Sequence, residues 1–175
     1  MTDALLVIDM QQGMFGFPGY PPHDGEGVVA RIGALIDQAR KKRTPIFFVQ
    51  HAGPPGDPLA TDNPGFAIHQ ELAPKPNESV TVKNVCSAFQ NTDLDAKLKA
   101  AGATHLIICG MQSDFCVDTA VRAAFERGYK VTLVGDGHST MDNGVLKAAD
   151  IVRHHNKTLS DMFARVMPAA EIAFD

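Results

Sequence analysis

The sequence has few cysteines and no long apolar run. Its three cysteines are an odd number without the paired spacings of zinc sites or disulfide frameworks, so we expect a reducing, cytoplasmic setting. The first apolar run is short, ends at Asp9 and has no basic segment before it, which argues against a signal peptide or a membrane span. A net charge of −4 argues against nucleic acid or an anionic membrane as the main partner.

The remaining composition is that of an ordinary globular protein. With 175 residues, of which 45% are hydrophobic and 21% charged, the chain can form one domain, 1–175, with a complete core. Neither an internal repeat nor a low-complexity segment interrupts it. We therefore expect one folded unit that needs no disulfide or metal for stability.

Apolar runs alternate along the chain with helical patterns. Strands are predicted at 4–9, 45–50, 79–82, 104–109 and 129–134, with a weaker one at 164–167. Helices are predicted at 26–42, 92–101, 114–127 and 143–156. Because several of the apolar runs are continuous, they suit strands that are covered on both faces. The alternation predicts a three-layer α/β/α domain: an open parallel sheet of about six strands with helices on both sides.

The segment 51–78 differs from the rest because it is rich in proline. A long loop inside a compact domain is usually functional. Since there is no second domain to connect, we predict that this segment is a lid or an interface rather than a linker.

Cys116 lies where a β-branched apolar run ends at a glycine, a short polar turn follows and a helix begins. We predict Ser113 as the N-cap of that helix, which would make Cys116 its third residue. Unpaired backbone N–H groups and the positive end of the helix dipole favour a thiolate there. Cys109 lies inside the apolar run and is predicted to be core, as free cysteines often are, whereas Cys86 has no strong signal either way.

Three chemically different side chains are predicted at one edge of the sheet. Asp9 ends the first strand, Lys83 ends the third, and Cys116 follows the fourth. Ligands of open parallel sheets bind beyond the carboxyl ends of the strands. A carboxylate, an ammonium and a thiol at that edge form a set typical of hydrolases. Taken singly, Asp9 could instead bind Mg²⁺ or cap a turn, and Lys83 could be a solvated lysine at a strand end.

These segments resemble the isochorismatase-like cysteine hydrolases, a superfamily that includes nicotinamidase and N-carbamoylsarcosine amidase. The resemblance extends from residue 4 to about residue 160. It rests on three motifs that occur in the expected order: Leu6-Val7-Ile8-Asp9-Met10-Gln11, then Lys83 with Ser87-Ala88-Phe89, then Cys109-Gly110-Met111-Gln112-Ser113-Asp114-Phe115-Cys116-Val117.

The resemblance implies a catalytic triad of Asp9, Lys83 and Cys116. It also implies a cis peptide bond between Met111 and Gln112, and an oxyanion hole formed by the backbone N–H groups of Gln112 and Cys116. Together with the exposed loop 51–78, it favours a homodimer or a larger homo-oligomer.

The chain departs from the family pattern at the metal site of the nicotinamidases, which uses an Asp-x-His pair and a later histidine. Here the matching segment is Gln50-His51-Ala52-Gly53, and His69 alone matches the later histidine. We therefore expect no metal and no other cofactor. True isochorismatases lack the cysteine nucleophile, so Cys116 argues against vinyl-ether cleavage.

The sequence thus predicts an enzyme that cleaves an amide, ureido or related C–N bond of a small molecule through a thioester. Alternatives are isochorismatase or nicotinamidase activity, a redox-active thiol protein, and a non-catalytic member that binds a ligand. Residues predicted to line the pocket are Phe15, Phe66, Phe89, Gln112 and Phe115. His51 and His138 are predicted to be solvated or structural, without a named partner.

Overall fold

The predicted apolar runs form the strands of one parallel sheet. A computed structural model describes residues 2–16 and 21–174. Over these residues it contains six strands: β1 Asp3–Ile8, β2 Ile46–His51, β3 Ser79–Lys83, β4 His105–Met111, β5 Lys130–Ser139 and β6 Arg165–Met167. Their order is β3-β2-β1-β4-β5-β6 and every pairing is parallel. This order places β1 and β4 at the centre and confirms the predicted sheet.

Helices cover both faces of the sheet, as predicted. They are α1 Gly25–Lys42, α2 Leu94–Ala100, α3 Asp118–Glu126 and α4 Ala148–Met162. Alternate residues of β1 point to opposite sides: Leu5 and Val7 pack in the core cluster that includes α1, whereas Leu6 and Ile8 pack with residues of the other three helices. All four are at most 1% exposed, which explains why β1 is a continuous apolar run. None of the helices within the described part of the chain is long and apolar enough to span a bilayer.

The fourth helix begins later than predicted, at Ala148 rather than near residue 143. Two polar side chains hold the preceding segment in turns. The Asn143 side-chain oxygen accepts hydrogen bonds from the backbone N–H groups of Val145 and Leu146, and Asp142 accepts one from that of Ala148. Such local bonds compete with helix formation, so the helical pattern predicted from 143 is wrong over its first turn.

β4 passes unusually close to β1 just before the turn that contains Cys116. Gly110 has a φ of +126°, and a Cβ at this position would lie 2.0 Å from the carbonyl oxygen of Ile8. Only glycine fits this approach.

The segment 51–78 contains two short 3₁₀ turns, Pro64–Phe66 and Gln70–Leu72, and packs against the body of the domain. Leu72 is buried beside α1. Arg40 of α1 donates two hydrogen bonds to the Glu78 carboxylate, at 2.8 and 2.9 Å, which attaches the end of the segment to that helix. Its role as a lid or an interface remains a prediction.

Candidate active site

The Lys83 ammonium lies within hydrogen-bond distance of both the Asp9 carboxylate and the Cys116 sulfur at the carboxyl edge of the sheet. Lys83 Nζ donates to Asp9 Oδ2 at 2.7 Å and to Cys116 Sγ at 3.2 Å. The three residues are 0%, 3% and 7% exposed, respectively. The structure therefore places a buried ammonium between a carboxylate and a thiol.

The backbone accounts for the position of each group. Lys83 is the last residue of β3. Asp9 follows β1 with its backbone N–H bonded to the Val49 carbonyl, and its φ of 47° lies in the left-handed region that non-glycine residues seldom adopt. Cys116 lies in a short π-helical turn, Ser113–Val117, between β4 and α3. Such turns occur frequently at functional sites.

The prediction that Ser113 caps the helix is wrong. Its hydroxyl is 2.7 Å from His138 Nδ1, and His138 Nε2 is 2.9 Å from the side-chain oxygen of Asn156. The turn begins at Ser113 itself, so Cys116 is its fourth residue and α3 starts only at Asp118. The Ser113 hydroxyl therefore contacts a buried histidine on β5 instead of a backbone N–H at the helix terminus.

The electrostatics of the site differ from the thiolate predicted at a helix terminus. Burial, followed by the Asp9 charge, raises the pKa of the Cys116 thiol, and Lys83 opposes this only in part. Burial also raises the pKa of Asp9 against the lowering effect of Lys83. Burial alone would lower the pKa of Lys83, but its interactions with Asp9 and Cys116 outweigh it and raise that pKa. Burial and the Asp9 charge thus oppose the thiolate at Cys116, whereas the Lys83 ammonium favours it.

Two residues of the site were not found from the sequence. His51 Nδ1 lies 3.3 Å from Lys83 Nζ, so this histidine does have a partner. Gln11 is fully buried, and its side-chain amide bonds the backbone of His51 on both sides, with the oxygen accepting from the N–H at 2.7 Å and the nitrogen donating to the C=O at 3.0 Å. His51 ends β2 in register with Lys83, so the rule of strand ends that identified Lys83 identifies His51 as well.

Two of the predicted pocket residues, Phe15 and Phe66, lie on chain segments near Gln11. The ring of Phe15 packs edge-to-face on His69, with centroids 5.0 Å apart. Phe66 contributes its carbonyl oxygen, which accepts hydrogen bonds from the side-chain amides of Gln11 and Gln50 at 2.8 Å each. Contact of either ring with a substrate remains a prediction.

The other predicted pocket residues have dissimilar environments. Phe89 is 5% exposed in the core cluster that also contains Cys116, whereas Phe115 is 51% exposed. The Gln112 side chain donates to the sulfur of Met141 at 2.7 Å, and the peptide bond that joins Met111 to Gln112 is cis. The oxyanion hole at the backbone of Gln112 and Cys116 remains a prediction.

Two of the residues that match the nicotinamidase metal site, Gln50 and His51, are engaged in other contacts. Gln50 uses its side-chain amide on a backbone carbonyl, and His51 faces the Lys83 ammonium, whose charge would repel a cation. Within residues 2–16 and 21–174, no group of three or more His, Cys, Asp or Glu side chains is arranged to hold a metal.

Fold and site together define an α/β protein with a buried Asp–Lys–Cys set at the carboxyl edge of its sheet. The family model for the isochorismatase domain matches residues 3–171, and the chain belongs to the isochorismatase family of hydrolases.

Its relatives include proteins with named activities. The isochorismatase family protein YddQ of Bacillus subtilis (strain 168) is 36% identical over 80% of this chain and 79% of its own length. A streptothricin hydrolase of Streptomyces noursei is 36% identical over 81% of this chain, which spans only 51% of that enzyme. The ureidoacrylate amidohydrolase RutB of Variovorax paradoxus (strain S110) is 26% identical over 85% of this chain and 73% of its own length.

Solved structures share the whole fold. That of an isochorismatase from Pseudomonas putida KT2440 superimposes with a TM-score of 0.92 at 34% identity, covering 98% of this chain and 90% of that one.

Proposed function

We propose that this protein is a cysteine-dependent hydrolase that cleaves an amide, ureido or related C–N bond of a small molecule through a thioester. The observation that carries the proposal is the Lys83 ammonium, which bonds both the Asp9 carboxylate and the Cys116 sulfur in a buried site. A nucleophile, a proton acceptor and a cation beside the sulfur suit acyl transfer through a cysteine. The names of two relatives, a streptothricin hydrolase and a ureidoacrylate amidohydrolase, support C–N bond cleavage.

In the first half-reaction, Asp9 takes the thiol proton of Cys116 and the sulfur attacks the carbonyl carbon of the substrate. Lys83 stabilises the negative charge that forms on the sulfur, which matters because burial raises the pKa of the thiol and makes its proton harder to remove. The backbone N–H groups of Gln112 and Cys116 donate to the oxyanion of the tetrahedral intermediate. Asp9 then gives its proton to the leaving nitrogen, the C–N bond breaks, and an acyl-thioester remains on Cys116.

In the second half-reaction, Asp9 takes a proton from water as the water oxygen attacks the thioester carbonyl. The carbon–sulfur bond breaks, the acid product leaves, and Asp9 returns its proton to the Cys116 sulfur. Each proton that Asp9 accepts is thus given back within one turnover, so the cycle needs no external acid, base or oxidant.

We further propose that the substrate is small and that the protein works as a cytoplasmic homodimer or larger homo-oligomer. The near-complete burial of Asp9, Lys83 and Cys116 supports a small substrate, since a large one could not reach them without a rearrangement.

A screen for released ammonia or amine tests the reaction, with small amides, ureido acids and hydroxamates as substrates. The Cys116→Ala protein should be inactive, and the Cys86→Ala protein, which changes an exposed thiol, should keep the wild-type rate. An undiminished rate in Cys116→Ala would contradict the mechanism. Mass spectrometry of the wild-type protein should detect an acyl adduct on Cys116, whereas a reversible disulfide between Cys86 and Cys116 would favour the redox alternative.

A further inference from the structure

The imidazole of His51 is held on the same side of the sheet as the Lys83 side chain. These two residues end β2 and β3 and are direct partners in the parallel register. Partners in register point to the same face of a sheet. The Ala52 N–H donates to the Lys83 carbonyl at 2.7 Å, and the buried amide of Gln11 binds the His51 backbone on both sides. These bonds fix the backbone of His51 beside that of Lys83, so the side chains of the two residues project from the same face of the sheet.

The Lys83 ammonium has three N–H groups and no acceptor capacity. The structure surrounds it with one acceptor for each: Asp9 Oδ2 at 2.7 Å, Cys116 Sγ at 3.2 Å and His51 Nδ1 at 3.3 Å. The side chain of Lys83 is fully buried, so water cannot replace a missing acceptor. An ammonium with three fixed acceptors cannot rotate about its own axis without breaking bonds.

We propose that His51 is a positioning residue that accepts the third N–H of Lys83 and thereby directs the other two at Asp9 and Cys116. The inference rests on the proposed function, since it assigns to His51 the orientation of the group that stabilises the sulfur. His51 itself takes no part in bond making or breaking.

The protonation of His51 agrees with this role. Because the ammonium can only donate, Nδ1 must carry the lone pair, and we assign the ring proton to Nε2. The Val85 backbone provides a hydrogen-bond partner for the ring. Burial, followed by the Lys83 charge, lowers the pKa of His51, against the opposing charges of Asp9 and Asp57. The imidazole is therefore neutral at physiological pH and free to accept.

Alkylation of Cys116 by iodoacetamide tests the proposal, because its rate at a given pH follows the thiolate fraction and the reaction needs no substrate. The rate is measured from pH 6 to 10 by mass spectrometry of the Cys116 peptide, in a Cys86→Ser background. The variants are His51→Leu, which has no acceptor, His51→Asn, whose side-chain oxygen lies near the position of Nδ1, and His51→Gln, whose oxygen lies further out. His154→Leu, at an exposed histidine of α4, is the matched control.

We expect His51→Leu and His51→Gln to slow alkylation about tenfold at every pH below the midpoint, as a rise of about one unit in the pKa of Cys116 would. His51→Asn should stay within about threefold of wild type, which is well under one pKa unit. Wild-type profiles in the Leu and Gln variants would overturn the proposal. Equal slowing in the Asn and Leu variants would also overturn it, because that result would mean that the ring itself, rather than its acceptor, is required.

The Asn and Gln variants keep the test decisive if His51→Leu does not fold, since both retain a polar side chain. The same series separates this proposal from the proposed function. A wild-type protein that hydrolyses nothing in the substrate screen would contradict the proposed function, and the alkylation profiles would still decide the role of His51.

Discussion

Replacing Asp9 with Asn should change the reactivity of Cys116 and the rate of hydrolysis in opposite directions. Asp9 has two effects on Cys116: its charge raises the pKa of the thiol, and it is the proposed acceptor of the thiol proton. The Asn side chain has nearly the same shape but neither the charge nor the basicity. The sulfur should therefore become more acidic, while turnover loses its base.

The geometry gives the size of the first effect. Asp9 Oδ2 and Cys116 Sγ both bond to Lys83 Nζ, at 2.7 and 3.2 Å, so they lie within about 6 Å of each other. At an effective dielectric constant of about 20, a unit charge at that distance contributes about 3 kcal/mol, or roughly two pKa units. A pKa lower by two units raises the thiolate fraction roughly a hundredfold. The thiolate of a more acidic thiol is also less nucleophilic, with a Brønsted slope of about 0.4–0.5, so the net gain in alkylation rate is about tenfold.

The assay is iodoacetamide alkylation of Cys116 at pH 7 in a Cys86→Ser background, beside hydrolysis of a substrate from the screen. Alkylation should accelerate about tenfold, whereas hydrolysis should slow by about 10²–10⁴-fold because general base catalysis is lost. Asp62→Asn, at an exposed carboxylate of the 51–78 segment, is the control and should alter neither rate. If both rates fall together in Asp9→Asn, the reasoning on charge is refuted.

Two predictions concern stability. Lys83→Met leaves the Asp9 carboxylate buried without its cation, so the free energy of unfolding should fall by about 3–5 kcal/mol at neutral pH, measured by urea titration. Burial raises the pKa of Asp9 and Lys83 opposes this, so without Lys83 the folded state binds a proton on Asp9 more tightly than the unfolded state does. The loss of unfolding free energy in Lys83→Met should therefore be small near pH 4 and grow as the pH rises. A loss that does not depend on pH would contradict this reasoning. Ser113→Ala leaves the buried His138 Nδ1 without a partner and should cost about 1–3 kcal/mol in the same titration, whereas an unchanged midpoint would mean that the contact contributes nothing to stability.

The positions of the central groups could be predicted because they depend on strand ends. Asp9 and Lys83 terminate apolar runs, and parallel strands carry their carboxyl ends to one edge. The same rule applies to His51, but the sequence does not show that β2 and β3 are neighbours in register, and without that pairing the histidine resembles any loop residue.

The assignment of Ser113 failed for a different reason. A serine before a helical pattern is a good N-cap, and locally nothing contradicts this role. His138 lies 25 residues further along the chain, on β5, and its ring competes for the hydroxyl only after β4 and β5 have paired. The tertiary contact with His138 therefore outweighed the local preference of Ser113 for the N-cap position.

The sequence by itself determined the layers and the edge of the site, because apolar periodicity and strand ends are local properties of the chain. The tertiary structure alone decided how the groups at that edge face one another. Lys83 and Asp9 are separated by 74 positions, the backbone at Asp9 is left-handed, and the imidazole of His51 lies 3.3 Å from the Lys83 ammonium. Burial of the assembled site then raises the pKa of the Cys116 thiol, since desolvation is a property of the packed core and not of any local segment.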